Sequence, residues 1–541
     1  MQRPNIVLFI TDQHRADWLG CNGHPVVRTP AIDRLAAEGV TFDRFYVASP
    51  VCMPNRSSLM TGRMPSVHGV RANGTPLSQS AVTFADLLRD AGYETALIGK
   101  SHLQTFTGAP ALLSPPPPKP GYHGATGELA QALRHGLASP GYEQESPAFW
   151  SRPDASLSLP YYGFEHVELV TGHGDGVGGD YRRWLLEREP RALDMIGAQN
   201  QLAHDYACPQ AVRTRLPAEL YQTSYIAERA RAFVAERAGR GDGARPFFLM
   251  VSFPDPHHPF NPPGKYWDMY RPDQFAAPEA FARNDWTPPP HVAAVLAERE
   301  AGAANLNSQF SFAVTVREAQ EAAALTAGMI TMIDDAVGSV VSVVESNGLM
   351  PSTALAFTSD HGEHLGDHRL LLKGSEQYQQ ILRVPFVWSD PDARNGSGRL
   401  AAAKGCRSAA ISSTIDIPAT ILDRASVAPY VGMQGRSLVP VLAGEDSNGR
   451  RAAFIQYDHQ RSNSALGGVP RIHTLVDRRW RLSMFDGVEW GELYDLASDP
   501  GEFVNLWDDP ASAEVKARMI EQLAREEIAH IDRVPMPTGR A

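Results

Sequence analysis

The feature that most constrains the fold of this chain is a series of short segments that are apolar along their whole length. A strand with one face in water alternates apolar and polar residues, whereas continuous apolar character is typical of a strand buried on both faces. Helix-like segments separate these strands, so we predict an α/β fold with a mostly parallel sheet between helices. The predicted strands are Asn5–Thr11, Tyr93–Ile98, Phe247–Phe253, Thr353–Thr358 and Arg383–Trp388.

The pattern changes near residue 430. Beyond it, four short segments are typical of antiparallel strands, and a helix is predicted near Ser512–Ile528. We therefore predict a large domain over residues 1–430 and a smaller α+β domain over residues 431–541. Two Gly- and Pro-rich stretches, about 104–215 and 260–320, are predicted insertions, and Ser114–Pro120 is a polyproline element that cannot join helix or sheet.

Composition excludes several classes of protein. The chain has 541 residues, 43% of them hydrophobic, which is enough for a large core, and a net charge of −11, which disfavours nucleic acid and anionic membranes. Four cysteines without a C-x-x-C pair do not form a disulfide framework. The N-terminal apolar run is too short for a signal peptide, and no later run approaches the roughly 18 residues of a membrane span. We expect a cytoplasmic protein.

Polar residues follow the predicted strands at the edge of the sheet where sites form in open α/β folds. One such residue is ordinary, whereas a series of them indicates a site. The candidates are Asp12, Gln13, Cys52, Arg56, Lys100, His102, His257, Asp360 and His361.

Two of these candidates are carboxylates, Asp12 and Asp360, which would repel each other unless a cation lay between them. Gln13 and His361 directly follow them and add an amide oxygen and an imidazole. This donor set suits one divalent cation, and the histidine favours Mn²⁺ over Ca²⁺. Asp12 alone would be equally typical of a turn after a strand. The prediction depends on the second aspartate, Asp360, which follows another predicted strand.

Cys52 is a candidate nucleophile. A free cysteine is usually an inert core residue, but here Pro54, Asn55 and Arg56 interrupt the apolar context. A helix beginning near Asn55 would direct its N-terminus at Cys52, and helix N-termini attract anions and lower thiol pKa values. Arg56, Lys100 and His102, together with a metal, would form a cationic pocket for a tetrahedral oxyanion; Lys373 is a weak candidate alone.

Together these residues resemble the type I sulfatases of the alkaline phosphatase superfamily. Cys52–Arg56 (Cys-Met-Pro-Asn-Arg) matches the signature Cys-x-Pro-x-Arg of that family. The resemblance spans almost the whole chain and thins in the two insertions. The other matching segments are Pro4–Asp12, Thr29–Ala36, Gly99–Leu103, Pro256–Pro259, Thr358–Gly362, Glu492–Leu496 and Asp499–Leu506.

The resemblance implies an alkaline-phosphatase-like fold and conversion of Cys52 to Cα-formylglycine by a formylglycine-generating enzyme. The modified Cys52 would be a further metal ligand beside Asp12, Gln13, Asp360 and His361. Arg56 and Lys100 would hold the formylglycine, and His102 would contact one of its hydroxyls. His257 and Lys373 would face the substrate anion, with Asn73 as a further anion contact.

The implied activity is hydrolysis of small sulfate monoesters through a covalent sulfo-enzyme intermediate. The Gln13 and His361 pair resembles the branch that contains phosphonate monoester hydrolases and choline-sulfatase-like enzymes, whereas Lys100 and His102 favour an arylsulfatase. Phosphonate monoesters and phosphodiesters are therefore expected side substrates, and a phosphonate monoester hydrolase is the alternative. Asn55 departs from the Ser or Ala of relatives. A protein that binds anions with an unconverted Cys52 is the non-enzymatic alternative.

Other residues are expected to be structural. Asp334 and Asp335 lie in a predicted helix, where adjacent side chains point to different faces. His173, in a Gly-rich insertion, is left outside the core set. The long insertions and the Pro-rich element favour a homo-oligomer, either dimer or tetramer.

Overall fold

The protein is built around a nine-stranded sheet, described in a computed structural model that covers residues 3–112, 120–121, 141–241, 244–537 and 539. Apart from Pro120, the expected polyproline element lies outside these described residues. The strands, in chain order, are β1 (Asn5–Thr11), β2 (Val40–Phe42), β3 (Phe45–Tyr46), β4 (Glu94–Gly99), β5 (His166–Thr171), β6 (Gly178–Gly179), β7 (Phe247–Ser252), β8 (Phe312–Ala313), β9 (Thr353–Ser359), β10 (Leu370–Leu371), β11 (Phe386–Ser389), β12 (Cys406–Ser408), β13 (Ser412–Ser413), β14 (Ala453–Asp458), β15 (Arg471–Val476), β16 (Trp480–Phe485) and β17 (Gly491–Asp495).

Helices cover both faces of this sheet. They are α1 (Pro30–Ala37), α2 (Cys52–Thr61), α3 (Pro65–His68), α4 (Phe84–Asp90), α5 (Pro147–Trp150), α6 (Asp180–Arg188), α7 (Gln222–Ala238), α8 (Pro290–Glu300), α9 (Val316–Ser346), α10 (Gln379–Leu382), α11 (Pro391–Asn395), α12 (Asp416–Arg424), α13 (Val439–Leu442) and α14 (Ala513–Ala529). The main helices of one face are α1, α7 and α9, and those of the other are α2, α4 and α12.

The strand order is β12-β2-β11-β9-β1-β7-β4-β5-β6. Strand β1 lies at the centre and pairs in parallel with β7 and β9, and β4 pairs in parallel with β7 and β5. Strand β11 is antiparallel to its neighbours. The predicted mostly parallel sheet between helices is confirmed.

The continuous apolar character of β1 has a direct structural cause. Successive side chains of a strand point to opposite faces, so Leu8 and Ile10 pack into one core while Val7 and Phe9 pack into the other. Because both faces are covered by helices, no position of the strand is left for a polar residue.

Part of the predicted insertion over 104–215 belongs to the sheet. Strand β5 lies inside it and pairs with β4. Only the last three residues of β5 are fully buried, so the segment lacks the continuous apolar run by which the other strands were predicted.

The C-terminal strands form a four-stranded antiparallel sheet, β14-β15-β16-β17, with α14 against it. Phe454 and Leu475 of this sheet pack against Ala48, Met64 and Ile415 of the larger part of the chain. The smaller antiparallel sheet is confirmed, and the domain boundary near residue 430 stays a prediction.

Helix α9 is closer to the length and composition of a membrane span than the sequence analysis expected. An 18-residue window of Val316–Ser346 has a mean hydropathy of 1.5, and 72% of that window is buried inside the protein. The expectation that no apolar run approaches such a length is wrong for α9, which packs against α7 and the central sheet as a core helix.

Candidate active site

The carboxyl edge of the sheet gathers the predicted residues into one buried cluster. Asp12 follows β1, Lys100 follows β4, and Asp360 follows β9, each with 0% exposure. Cys52 begins α2 and is 1% exposed, and Lys373 is 4% exposed. Residues more than 350 positions apart therefore meet because the parallel strands end at the same edge.

Four of these side chains form a set able to hold a metal ion. Asp12, Cys52, Asp360 and His361 each offer a ligand atom, and these atoms lie within 4.8 Å of one another. The Sγ atom of Cys52 lies 3.1 Å from Nε2 of His361 and 3.6 Å from Oδ1 of Asp12.

The hydrogen bonding of His361 fits a metal ligand. Its Nδ1 lies 3.0 Å from the carbonyl oxygen of Gly362, which only accepts, so Nδ1 carries the hydrogen and Nε2 presents a lone pair to Cys52. Metal-bound histidines commonly donate their other N–H in this way. Burial lowers the pKa of His361 to about 4, so the ring is neutral, as metal ligation requires.

Gln13 lies beside this set. Its backbone N–H donates to Oδ1 of Asp360 at 3.1 Å, and its side-chain oxygen accepts a hydrogen bond from Lys373. Its amide nitrogen donates to Glu363. The amide oxygen therefore faces the cluster, as a metal ligand at this position would need.

Helix α2 begins at Cys52 itself, three residues earlier than the predicted start near Asn55. The expectation that the helix N-terminus lowers the thiol pKa is wrong. Burial, with the nearby carboxylate of Asp12, raises the pKa of Cys52 to about 12. The encoded cysteine is therefore a protonated thiol rather than a thiolate nucleophile.

Arg56 joins three elements. Its Nε donates to Oδ2 of Asp360 at 2.7 Å, and its NH1 group donates to Oγ of Ser252 at 2.9 Å and to the carbonyl oxygen of Lys100 at 3.2 Å. Arg56 thus orients one predicted metal ligand and fixes the end of β4. The predicted contact of Arg56 with a modified Cys52 stays a prediction.

Asn55, the departure from the family signature, is a buried connector. Its Oδ1 accepts from the N–H of Ala48 at 3.0 Å and from Oγ1 of Thr414 at 2.7 Å, and its Nδ2 donates to the carbonyl oxygen of Asp360. The side chain points away from Cys52 and stabilises the backbone around the metal set.

Three stacked imidazole rings line one side of the cluster. The ring of His257 lies between those of His173 and His258, with centroids 3.5 Å and 4.0 Å away. The Nδ1 of His257 lies 2.6 Å from the carbonyl oxygen of His258, so its Nε2 is the acceptor for Lys373 at 2.8 Å. Burial lowers the pKa of His257 well below its ordinary value.

His173 is the residue that the sequence analysis left outside the core set. Its Nε2 lies 2.7 Å from Nζ of Lys100, which also donates to Asp12. Burial lowers the pKa of His173 to about 3, so a neutral ring accepts from the lysine ammonium. The Gly-His-Gly sequence around His173 has no helix or strand periodicity that would mark it. The position of His173 shortly after β5, however, matches the positions of the other site residues, which also follow strands.

His102, which is expected to contact a hydroxyl of the formylglycine, is held by a residue of the first insertion. The N–H groups of His102, Leu103 and Gln104 donate to the buried carboxylate of Glu145 at 2.8 to 3.0 Å. The ring of His102 stacks on Phe106 with centroids 3.8 Å apart. Burial lowers the pKa of His102 well below its ordinary value, which leaves a neutral imidazole able to accept a proton.

Asn73 lies next to the start of α2. Its Oδ1 accepts from the N–H of Met53 at 3.0 Å, which satisfies a first-turn donor of the helix. The structure therefore places Asn73 beside Cys52 with its oxygen already occupied, and the predicted contact with a substrate anion stays a prediction.

Comparisons with known proteins agree with this geometry. A family model described as Sulfatase matches residues 4–427, more than half of the chain. The chain belongs to the sulfatase family. A second model, described as N-sulphoglucosamine sulphohydrolase, C-terminal, matches residues 366–529.

Individual relatives of this sulfatase cover nearly its whole length. It is 28% identical to the multifunctional alkaline phosphatase superfamily protein PehA of Trinickia caryophylli over 98% of this chain and 97% of that protein. It is 27% identical to an arylsulfatase of Clostridium perfringens (93% and 90%). The structure of a phosphonate monoester hydrolase of Agrobacterium radiobacter superposes with a TM-score of 0.75 at 26% identity, covering 98% of this chain and 97% of that one. The predicted family and its alkaline-phosphatase-like fold are confirmed.

Proposed function

We propose that this sulfatase hydrolyses small sulfate monoesters, with an arylsulfatase-like preference, by means of a formylglycine made from Cys52 and one divalent metal. The observation that carries the proposal is the convergence of Cys52 with Asp12, Asp360 and His361 within 4.8 Å. Membership of the sulfatase family, whose members generally use a divalent metal and formylglycine, supports it.

The donor set determines the proposed cofactor. Asp12, Gln13, Asp360 and His361 would hold the metal, with the modified Cys52 as a further ligand. Carboxylate and amide oxygens suit Ca²⁺ or Mn²⁺, and the neutral imidazole favours Mn²⁺. The bound metal would supply Lewis-acid stabilisation of negative charge, and the hydrated formylglycine would supply a nucleophilic hydroxyl and a second hydroxyl able to expel sulfate.

The chain's own cations determine where a sulfate group binds. The histidines of the stack are neutral, so the ammonium groups of Lys100 and Lys373 supply positive charge near Cys52. Sulfuryl oxygens would accept hydrogen bonds from these groups, and negative charge that develops on the leaving oxygen would be stabilised by Lys373 and His257. A water-excluded position strengthens each of these interactions.

His102 is proposed to act as the base that removes the proton of the second formylglycine hydroxyl, the hydroxyl that would expel sulfate. Its Nδ1 is buried and has no hydrogen-bond partner among the described residues. A neutral imidazole with a free lone pair matches the requirement of a general base. Glu145 fixes the backbone that carries the ring, because it accepts hydrogen bonds from three backbone N–H groups.

The chemical state of residue 52 tests the proposal. We expect the peptide that contains residue 52, taken from active enzyme, to have exchanged sulfur for oxygen and lost two hydrogens. An unmodified Cys52 in fully active enzyme contradicts the mechanism. Retention of full activity by Cys52→Ala would show that the measured hydrolysis occurs at another site.

A phosphonate monoester hydrolase is the second candidate, favoured by the superposition on the Agrobacterium radiobacter enzyme. The ratio of kcat/KM for an aryl sulfate and the matching aryl phosphonate separates the two. A higher value for the sulfate supports our first choice, and a higher value for the phosphonate reverses the order. Activity on phosphonate monoesters and phosphodiesters is proposed as a side reaction in the first case.

We further propose that a formylglycine-generating enzyme matures the protein, that the protein is cytoplasmic and that it assembles as a dimer or tetramer. An unconverted Cys52 in purified protein that turns over neither ester would favour the alternative of an anion-binding protein.

A further inference from the structure

A cavity of about 320 Å³ lies between the larger part of the chain and the segments next to β16 and β17 of the C-terminal sheet. It is lined by four arginines, Arg15, Arg44, Arg383 and Arg478, and by Tyr46 and Gln379. We call it the arginine-lined cavity. None of the active-site residues described above lines it, so it is a separate feature of the molecule.

The positive charge of this cavity is poorly compensated. Arg15 is neutralised, because it binds Asp17 through two hydrogen bonds of 2.9 and 2.7 Å and Asp367 at 2.8 Å. In the described part of the chain, Arg44, Arg383 and Arg478 have no carboxylate oxygen within 4 Å. In a protein with a net charge of −11, these three guanidinium groups converge with no paired carboxylate among the described residues, because Asp17, the carboxylate of the lining, pairs with Arg15.

Two of these arginines use only neutral partners. An N–H of Arg44 donates to the carbonyl oxygen of Arg478 at 2.6 Å, and an N–H of Arg478 donates to Oδ1 of Asn448 at 2.6 Å. Arg383 makes no side-chain hydrogen bond to any described residue. Most of the donors of this arginine group are therefore left for water or for a ligand.

Buried polar atoms without partners adjoin the same cavity. The hydroxyl of Tyr46 donates to Oε1 of Gln379 at 3.0 Å, while Nε2 of Gln379 and Oε1 of Gln380 are buried and lack a partner among the described residues. Burial raises the pKa of Tyr46 to about 12, against the opposing charges of Arg383 and Arg44 nearby. A buried donor without a partner is costly, so such groups usually face a ligand or an ordered water.

We propose that the arginine-lined cavity binds the phosphate or sulfate group of a small organic anion, at a site distinct from the active site. Arginine forks match the oxygens of tetrahedral oxyanions, and Gln379 adds a neutral donor. The volume is larger than one such group needs, and Leu496, Ala497 and Pro500 provide an apolar wall for the organic part. Asp17 is the one carboxylate in the lining, and Arg15 already binds it.

The cavity shares a wall with residues 360–363, the segment after β9 that carries two of the predicted metal ligands and is called the metal loop here. The N–H groups of Gly362 and Glu363 donate to the carbonyl oxygens of Ile381 and Gln380 in α10, at 2.9 and 3.1 Å. A Cβ atom on Gly362 would lie 1.8 Å from that oxygen of Gln380, so the two segments are in direct contact. Arg44 does not belong to this wall. A first variant is therefore better made at Arg44, away from the contact with the active site.

A crystal soaked in selenate tests the proposal, because selenium scatters anomalously and selenate has the shape of sulfate. We expect an anomalous peak among Arg44, Arg383 and Arg478 in wild-type crystals and its loss in Arg44→Gln and Arg383→Gln. The exposed Arg191, whose side chain is 83% accessible, provides the control Arg191→Gln, which should keep the peak. A peak confined to the active site, or present equally in all variants, overturns the proposal.

Titration calorimetry with inorganic phosphate gives the second readout. Either variant should weaken binding at the cavity at least about tenfold, the size expected for one hydrogen bond to a charged group, and Arg383→Lys should weaken it less. Unfolding curves establish that each variant is folded. The proposal fails if the folded variants and wild type bind phosphate with the same stoichiometry and affinity.

Discussion

Asn55 shows how much one side chain can do next to a reactive residue. It joins the segment before α2, a threonine before α12 and the backbone of the metal loop, and all three contacts are buried. The sequence could only identify it as a departure from the family signature. Its partners Ala48 and Thr414 are distant in the chain and carry no motif.

Substitution Asn55→Ala should lower the free energy of unfolding by about 2–4 kcal/mol, because the buried carbonyl oxygen of Asp360 loses its donor and the buried hydroxyl of Thr414 loses its acceptor. Cys52, Pro54 and Arg56 remain, so conversion of Cys52 should be unaffected. Denaturant unfolding measures the first effect and mass spectrometry the second. A variant that is as stable as wild type but contains unconverted Cys52 would assign Asn55 to maturation instead.

His173 provides a prediction about catalysis. His173→Phe retains the aromatic stack on His257 but removes the acceptor of Lys100, so kcat should fall about tenfold or more, with metal content unchanged. His173→Gln, which retains an acceptor, should recover part of the loss. His204, a partly exposed histidine of the same insertion, gives the control His204→Phe. Equal kcat values for wild type and His173→Phe would exclude the positioning role.

At the scale of elements, helix α1 is capped by another helix. Both carboxylate oxygens of Asp334, in α9, accept hydrogen bonds from the N–H groups of Ala31 and Ile32, at 3.0 and 2.8 Å. The expectation that Asp334 is structural agrees with these contacts. Thr29, at the N-cap position, makes no capping hydrogen bond through its side chain, which donates to Asp33 instead.

Asp334→Ala should therefore destabilise the protein by about 1–3 kcal/mol, since two first-turn donors lose their acceptor. The adjacent Asp335 is half exposed and hydrogen-bonds Tyr266 and not a helix terminus. Asp335→Ala should cost less than about 1 kcal/mol and serves as the control. Similar losses for both variants in urea unfolding would contradict the capping role.

The same residue predicts a pH effect. Burial raises the pKa of Asp334 to about 7, although the two N–H groups oppose this, whereas an unfolded aspartate has a pKa of about 3.9. The folded state binds the proton more tightly, so the stabilising contribution is complete below about pH 4 and is lost as the pH rises through 7. Wild type should lose stability relative to Asp334→Asn between pH 5 and pH 8, as measured by unfolding at both values. A pH-independent difference would contradict the shift.

Elements could be predicted where their periodicity is strong. The strands β1, β4, β7 and β9 and the antiparallel C-terminal strands are continuous or alternating patterns that local sequence reveals. Strand β5 was missed because half of it is incompletely buried. The start of α2 was misplaced because Val51, its N-cap residue, offers no capping side chain, so no sequence signal marks the boundary.

At the scale of the whole molecule, a buried ion-pair network ties the C-terminal sheet to the active-site side. Arg481 is fully buried and contacts Glu502 and, at 2.9 Å, Glu492. Glu502 in turn accepts from the N–H of Gln379 at 2.7 Å, at the start of α10. Contacts thus run from the C-terminal sheet through α10 to the metal loop.

Arg481→Met should lower the free energy of unfolding by about 3–5 kcal/mol, because it leaves two buried carboxylates without their cation. Arg479, on the exposed side, pairs with Asp495 at 2.6 Å and has a 59% accessible side chain. Arg479→Met should change stability much less than Arg481→Met, because solvent screens an exposed ion pair. Unfolding in guanidinium compares the two, and similar small losses would show that the network contributes little.

The site was predictable from residues that follow strands, because the sheet itself brings the strand ends together. His173 and Glu145 were not, since they lie in insertions that have no periodic pattern. The arginine-lined cavity is assembled from segments around residues 15, 44, 380, 478 and 496, and only the packing of the C-terminal sheet against the larger part of the chain brings these together.

The central place of β1 has a consequence for the order of events in the cell. Its hydrogen-bonding partners, β7 and β9, lie about 240 and 350 residues later in the chain, so a ribosome must make most of the protein before the sheet can close. Once it closes, Cys52 is only 1% exposed and beyond the reach of another enzyme. The proposed conversion of Cys52 therefore has to precede the closing of the sheet, while the chain around Cys52 is still unfolded.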